Sequence, residues 1–117
     1  MELLLVEDEG TTSHALTALL RRLGVKVRHA PEVIQALEEL TRLPEVVVLD
    51  FSLSDDTALE ILKMIRDTGF VCRIAVLMPA QDHKRNLAQI QAFKPTAIFQ
   101  KPLDFEDFGH WLCDLFP

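Results

Sequence analysis

Apolar residues fall into two rhythms along this chain. Short continuous runs at Leu3–Val6, Val46–Leu49 and Ile74–Met78 read as strands buried on both faces, as in a parallel sheet. Val25-Lys26-Val27-Arg28 alternates instead, which predicts a strand at the sheet edge, and Ala97–Phe99 supplies a fifth short run. The intervening segments follow the helical period. Leu16, Leu19, Leu20 and Leu23 recur at i, i+3, i+4 and i+7, with Gly24 as a stop. Pro31 suits the first turn of a second helix carrying Val33, Leu37 and Leu40 and ending before Pro44. Asp55 or Asp56 can cap a third, with Ala58, Ile61, Leu62 and Ile65 inward and Gly69 after it. Asp82 can cap a fourth that stops before Pro95, and Asp104 a fifth.

Five βα units in this order predict one α/β domain over residues 1–117, an open parallel sheet with helices on both faces. With 49% hydrophobic residues the chain can bury a core without staples. Cys72 and Cys113 lack ligand spacing, so two reduced thiols in a cytosolic protein are expected, although the sequence leaves a bridge open. The first apolar run is too short for a signal-peptide core or a membrane span, which points to a soluble, cytoplasmic protein with no membrane partner. A net charge of −6 and the absence of a basic patch argue against direct nucleic-acid binding.

Charge matters most at the strand ends. Working residues of open α/β sheets lie at the carboxyl ends of the strands. Glu7 and Asp8 end the first run, Asp50 the third, and Lys101 follows the fifth. Carboxylates crowded into one crevice repel, and Mg²⁺ (or Mn²⁺) relieves that while leaving coordination places for phosphate oxygens. A carboxylate flanked by a metal and a lysine can attack phosphorus to give an acyl phosphate. Asp50 is then the nucleophile, Glu7 and Asp8 the metal binders, and Lys101 the counter-charge.

These residues make the chain resemble the receiver domains of bacterial response regulators. Leu3-Leu4-Leu5-Val6-Glu7-Asp8-Glu9 is similar to that family's acidic-pair strand, Val46-Val47-Val48-Leu49-Asp50 to its phosphoacceptor strand, and Gln100-Lys101-Pro102 to its lysine signature. The resemblance covers essentially the whole chain. It implies the flavodoxin-like (βα)5 three-layer sandwich with strand order 2-1-3-4-5. It also implies a phosphoacceptor at Asp50, and a histidine kinase or phosphotransfer protein as donor. By the same analogy the backbone carbonyl of Ser52 is a metal ligand and the backbone N–H of Ala80 binds phosphate. Ser52 and Gln81 then flank the acyl phosphate and influence its hydrolysis.

Two departures from the family pattern concern signal output. Pro79 stands where the family carries Thr or Ser, and proline has neither hydroxyl nor N–H to offer a phosphoryl group. Ile98 stands where it carries an aromatic; Phe99 is adjacent, but one step along a strand points to the opposite face. The alternative function is therefore a phosphorylation-independent pseudo-receiver, a docking or dimerisation module. Ser54 and Ala58 are softer departures, in place of the family's usual proline and glycine. An aspartate-nucleophile phosphatase is disfavoured because Ser52 stands where a second acid is required, so no turnover enzyme is expected. Phe105, Phe108, Leu112 and Leu115 form a core-facing stripe on the last helix, which Trp111 and Phe116 widen. That width suggests a homodimer or output surface, which the resemblance places on the face of helix 4, strand 5 and helix 5. The four histidines, His14, His29, His83 and His110, show no ligand spacing, and most are expected at the surface.

Overall fold

The structure, a computed structural model, describes residues 2–7, 10–51, 55–69, 71–78 and 83–115. Strands β1 (Glu2–Val6), β2 (Lys26–Ala30), β3 (Val46–Asp50), β4 (Arg73–Met78) and β5 (Ala97–Gln100) alternate with helices α1 (Gly10–Arg22), α2 (Val33–Leu40), α3 (Asp55–Thr68), α4 (His83–Ala92) and α5 (Phe105–Leu115). All neighbouring strands pair in parallel, in the order β2-β1-β3-β4-β5. This is the flavodoxin-like arrangement. It leaves β1, β3 and β4 inside the sheet, which is why their apolar runs are continuous. The alternating strand β2 lies at an edge, as its pattern predicts.

Side chains on the two faces of the sheet feed two separate cores, because successive strand residues point to opposite sides. Leu4, Val6, Val47, Leu49, Ile74 and Val76 pack with Ala36 and Leu40 of α2, Ala58, Ile61, Leu62 and Ile65 of α3 and Ile90 of α4. Leu3, Leu5, Val46, Val48, Ala75 and Leu77 pack with Leu16 and Leu20 of α1 and Phe108 and Leu112 of α5. The inward quartet expected of α3 is wholly buried. Full burial of a leucine or isoleucine side chain contributes about 1.5–3 kcal/mol each.

Several element ends differ from expectation by a residue or two. The second strand is expected from Val25 to Arg28 but runs from Lys26 to Ala30. Val25 belongs to the exit of α1: its N–H donates to the Leu20 carbonyl, the Gly24 N–H donates to Arg21, and Gly24 sits at φ +80°. This is a Schellman closure, and the Leu20–Val25 pair that accompanies it is buried. Pro31 precedes α2 rather than lying in its first turn, since Glu32 is the N-cap residue. The third helix starts at Asp55 itself. The Asp104 cap of α5 is present, its Oδ1 accepting from the Glu106 N–H at 3.0 Å and the Asp107 N–H at 3.1 Å. The proposed Asp82 cap of α4 lies outside the described residues.

The stripe on α5 is also shifted. Phe108 and Leu112 are buried, whereas Phe105 is 37% exposed. Trp111 turns inward instead, its ring 5.7 Å from Phe99 and 5.6 Å from Phe108. Leu115 is half-buried, and Phe116 lies outside the described residues. Both cysteines are free, Cys72 buried and Cys113 exposed. Burial pushes the Cys72 thiol above its ordinary pKa, with the Arg66 guanidinium opposing.

Candidate functional site

The sheet brings its charged strand ends together by register. Val6 pairs with Leu49, so Glu7 and Asp50, each the next residue, stand side by side on neighbouring strands. Counting alternation forward, Glu7 falls on the side of Leu3 and Leu5, Asp50 with Val46 and Val48, and Lys101 with Phe99. All three thus project on the α1–α5 side of the sheet's carboxyl edge. Both Glu7 and Asp50 are completely buried.

Asp50 and Lys101 are separated by the end of β4, a lateral gap of about 10 Å at ordinary strand spacing. A long lysine side chain can bridge it. The Lys101 backbone is held in place by donating its N–H to the Met78 carbonyl at 2.8 Å, and Phe51 N–H donates to Leu77 at 2.9 Å. From there the Lys101 ammonium donates to Asp50 Oδ2 at 2.6 Å, with only 17% of its side chain exposed. Bonds of this length between charged groups are the strong kind. They are also what a buried carboxylate requires, since an unpartnered charge in this setting costs several kcal/mol, roughly.

Glu7 and Asp50 supply hard anionic oxygens at adjacent positions, and this donor chemistry fits Mg²⁺. Among the described residues, no group of three or more His, Cys, Asp or Glu side chains could hold a metal. The other expected ligands, Asp8 and Ser52, lie outside the described residues, as do Pro79 and Ala80. Ile98 packs half-buried against the α2–α3–α4 core. Phe99 packs on the opposite face, 5.4 Å from Phe108. The two residues thus divide between the faces as their adjacency in a strand requires.

One contact at the site was not legible from the sequence pattern. His29, expected as a scattered surface histidine, donates from Nε2 to the Glu7 carbonyl at 2.6 Å. The only clue available was its position one residue before the end of the strand that flanks β1.

Comparison with known proteins identifies the family and agrees with the fold. The response regulator receiver domain family matches residues 3–111, and the chain belongs to that family. It is 38% identical over 78 residues to the transcriptional regulatory protein DltR of Streptococcus agalactiae serotype III, covering 66% of this chain and 35% of that protein. The chain therefore spans about a third of the length of that curated relative. Among solved structures, a two-component response regulator from Clostridium difficile superposes with TM-score 0.87 at 16% identity, covering 98% of this chain and 94% of that one. A CheY-like response regulator receiver domain from Methylobacillus flagellatus superposes with TM-score 0.82 at 21% identity, covering 98% of both chains. At those identities the likeness speaks for the fold alone. Among the described residues, no helix is long and apolar enough to cross a membrane.

Proposed function

We propose that this receiver domain accepts a phosphoryl group on Asp50 from a cytoplasmic histidine kinase or phosphotransfer protein. The observation that carries the reading is the 2.6 Å bond from Lys101 to a completely buried Asp50 beside an equally buried Glu7. An Asp50 carboxylate oxygen attacks phosphorus, forming a C–O–P linkage as the donor's bond to phosphorus breaks and its electron pair leaves with the donor. Lys101, already seated at Oδ2, is within reach to follow charge onto the phosphoryl oxygens. Glu7, Asp8, Asp50 and the Ser52 carbonyl are the residues that would hold Mg²⁺. When bound, the ion neutralises phosphoryl charge. The Ala80 N–H is a further donor to the phosphoryl group. The chain takes part in its own phosphorylation and dephosphorylation and does not turn over an external substrate.

Output runs through protein contacts, and the face of α4, β5 and α5 is the surface for a second copy or an output partner. With Pro79 and Ile98 at the usual relay positions, the signal depends on other contacts to β5. The Phe99–Phe108–Trp111 cluster joins β5, two residues before Lys101, to α5.

The test is intact mass after incubation with Mg²⁺ and a small phosphodonor, with Asp50→Asn as control. A gain of one phosphoryl group in wild type alone is the expected result. No gain, together with no response to beryllofluoride, would refute phosphoryl acceptance.

A further inference from the structure

We infer that His29 is a positioning residue for the acidic pair at the end of β1, acting on the main chain of Glu7 rather than on any ligand. This rests on the reading of Glu7 and Asp8 as the Mg²⁺-binding pair.

The last two residues of β2 hold both polar groups of the Glu7 backbone. Its N–H donates to the Ala30 carbonyl at 3.2 Å, and its carbonyl accepts from His29 Nε2 at 2.6 Å. A carbonyl oxygen only accepts, so Nε2 carries the hydrogen. In a parallel ladder the next donor to this carbonyl would be the Glu32 N–H, but β2 ends at Ala30 and Glu32 already caps α2. The His29 side chain stands in for it. With N–H and C=O both tied, the planar peptide units on either side of the Glu7 Cα are fixed, and with them the root of its carboxylate and the direction in which the chain leaves β1. Metal ligands bind well only when held close to their working geometry, and partners that do not touch the metal commonly supply that restraint.

Sequence logic supports a specific role over a passive one. His29 occupies an exposed position on an edge strand, where solvation alone places no demand on residue type. Its ring is nevertheless turned onto the carbonyl that joins the two residues of the acidic pair.

The experiment measures Mg²⁺ affinity by isothermal titration calorimetry for wild type, His29→Ala and His29→Gln. Urea unfolding in EDTA runs alongside it. Glutamine keeps an amide N–H donor at a similar reach. The expected result is Mg²⁺ binding weakened roughly 3- to 10-fold in His29→Ala, the scale of one net hydrogen bond, and largely restored in His29→Gln. Metal-free unfolding of His29→Gln should match wild type, so that affinity and stability are separated even if the alanine variant is less stable. Wild-type affinity in His29→Ala would overturn the inference and leave the Mg²⁺ reading intact. Equal weakening in both variants would overturn the hydrogen-bond account. Failure of the wild-type protein itself to bind Mg²⁺ would overturn both this inference and the metal-binding reading beneath it.

Discussion

Two groups of charges in this molecule use similar residues to opposite ends. At the carboxyl edge of the sheet, Lys101 meets a fully buried Asp50 at 2.6 Å. Along the β2 side, Lys26 and Arg28 approach Glu2 at 3.4 and 3.9 Å, while Arg28 and Arg42 approach Glu39 at 3.8 and 3.6 Å. The second group is looser and wetter: Lys26 is 66% exposed and Arg42 57%. Water already reaches the Lys26 and Arg42 heads, so those pairs gain little, whereas Arg28 Nε and Glu39 Oε2 are closed to solvent at 3.8 Å. The first group has given up its water and depends on its partner. The difference teaches that the number of ion pairs says little about what a charge does, whereas burial at a strand end says a great deal. A fold gains nothing from burying two carboxylates side by side for stability alone.

The comparison breaks most visibly if Lys101 is removed. Lys101→Met leaves Asp50 buried without its ammonium, and it should lower stability by about 3 kcal/mol, measured by urea unfolding at neutral pH. Phosphoryl acceptance should fall by roughly 100-fold in the same variant. A loss below about 0.5 kcal/mol would mean that the pair is no different in kind from the surface pairs.

A double substitution sharpens the point. Asp50→Asn combined with Lys101→Met removes both charges together. Replacing a buried pair with neutral groups of similar volume is often neutral or better, so most of the single-mutant loss should return. The coupling energy of the cycle should reach about 2 kcal/mol, well above the error of the unfolding measurements. Additive losses would show that the two side chains act independently despite their contact.

Asp104 lies between these extremes, as an exposed carboxylate with fixed partners. It accepts two backbone N–H groups at the start of α5, and Asp104→Ala should cost about 1 kcal/mol in thermal or urea unfolding.

How much of this was legible beforehand follows from the range over which each feature is determined. The Asp104 cap depends on residues within three places of each other, and the chain announces it. The edge position of β2 also follows, because continuous runs at Leu3 and Val46 against an alternating run at Val27 distinguish interior from edge strands. The full strand order, by contrast, came from the resemblance of the strand-end motifs to receiver domains. The exchange of Phe105 for Trp111 was not legible. Helical period gives the width of a stripe, but which of its margins turns inward depends on Phe99 across the gap to β5. The start of β2 was misplaced because Val25 is as apolar as a strand residue and is claimed by the Schellman closure of α1 instead. His29 was missed for a similar reason: its partner is a backbone carbonyl of another strand, which leaves no trace in side-chain pattern.

The smallest effects belong to the surface network, and they are the sternest check on the contrast. A double-mutant cycle on Lys26→Ala and Glu2→Ala should return a coupling of about 0.5 kcal/mol or less. Raising salt to about 1 M shortens the screening length to roughly 3 Å and should erase most of that coupling. The Asp50–Lys101 coupling should largely persist under the same salt, since Asp50 is completely buried and little of Lys101 reaches solvent. If the Lys26–Glu2 coupling instead rivals the buried pair and resists salt, then Glu2, at 37% exposure, is held more rigidly than its 3.4 Å contact implies. The β2 edge would then count as a structural clasp, and burial alone would no longer separate the two groups.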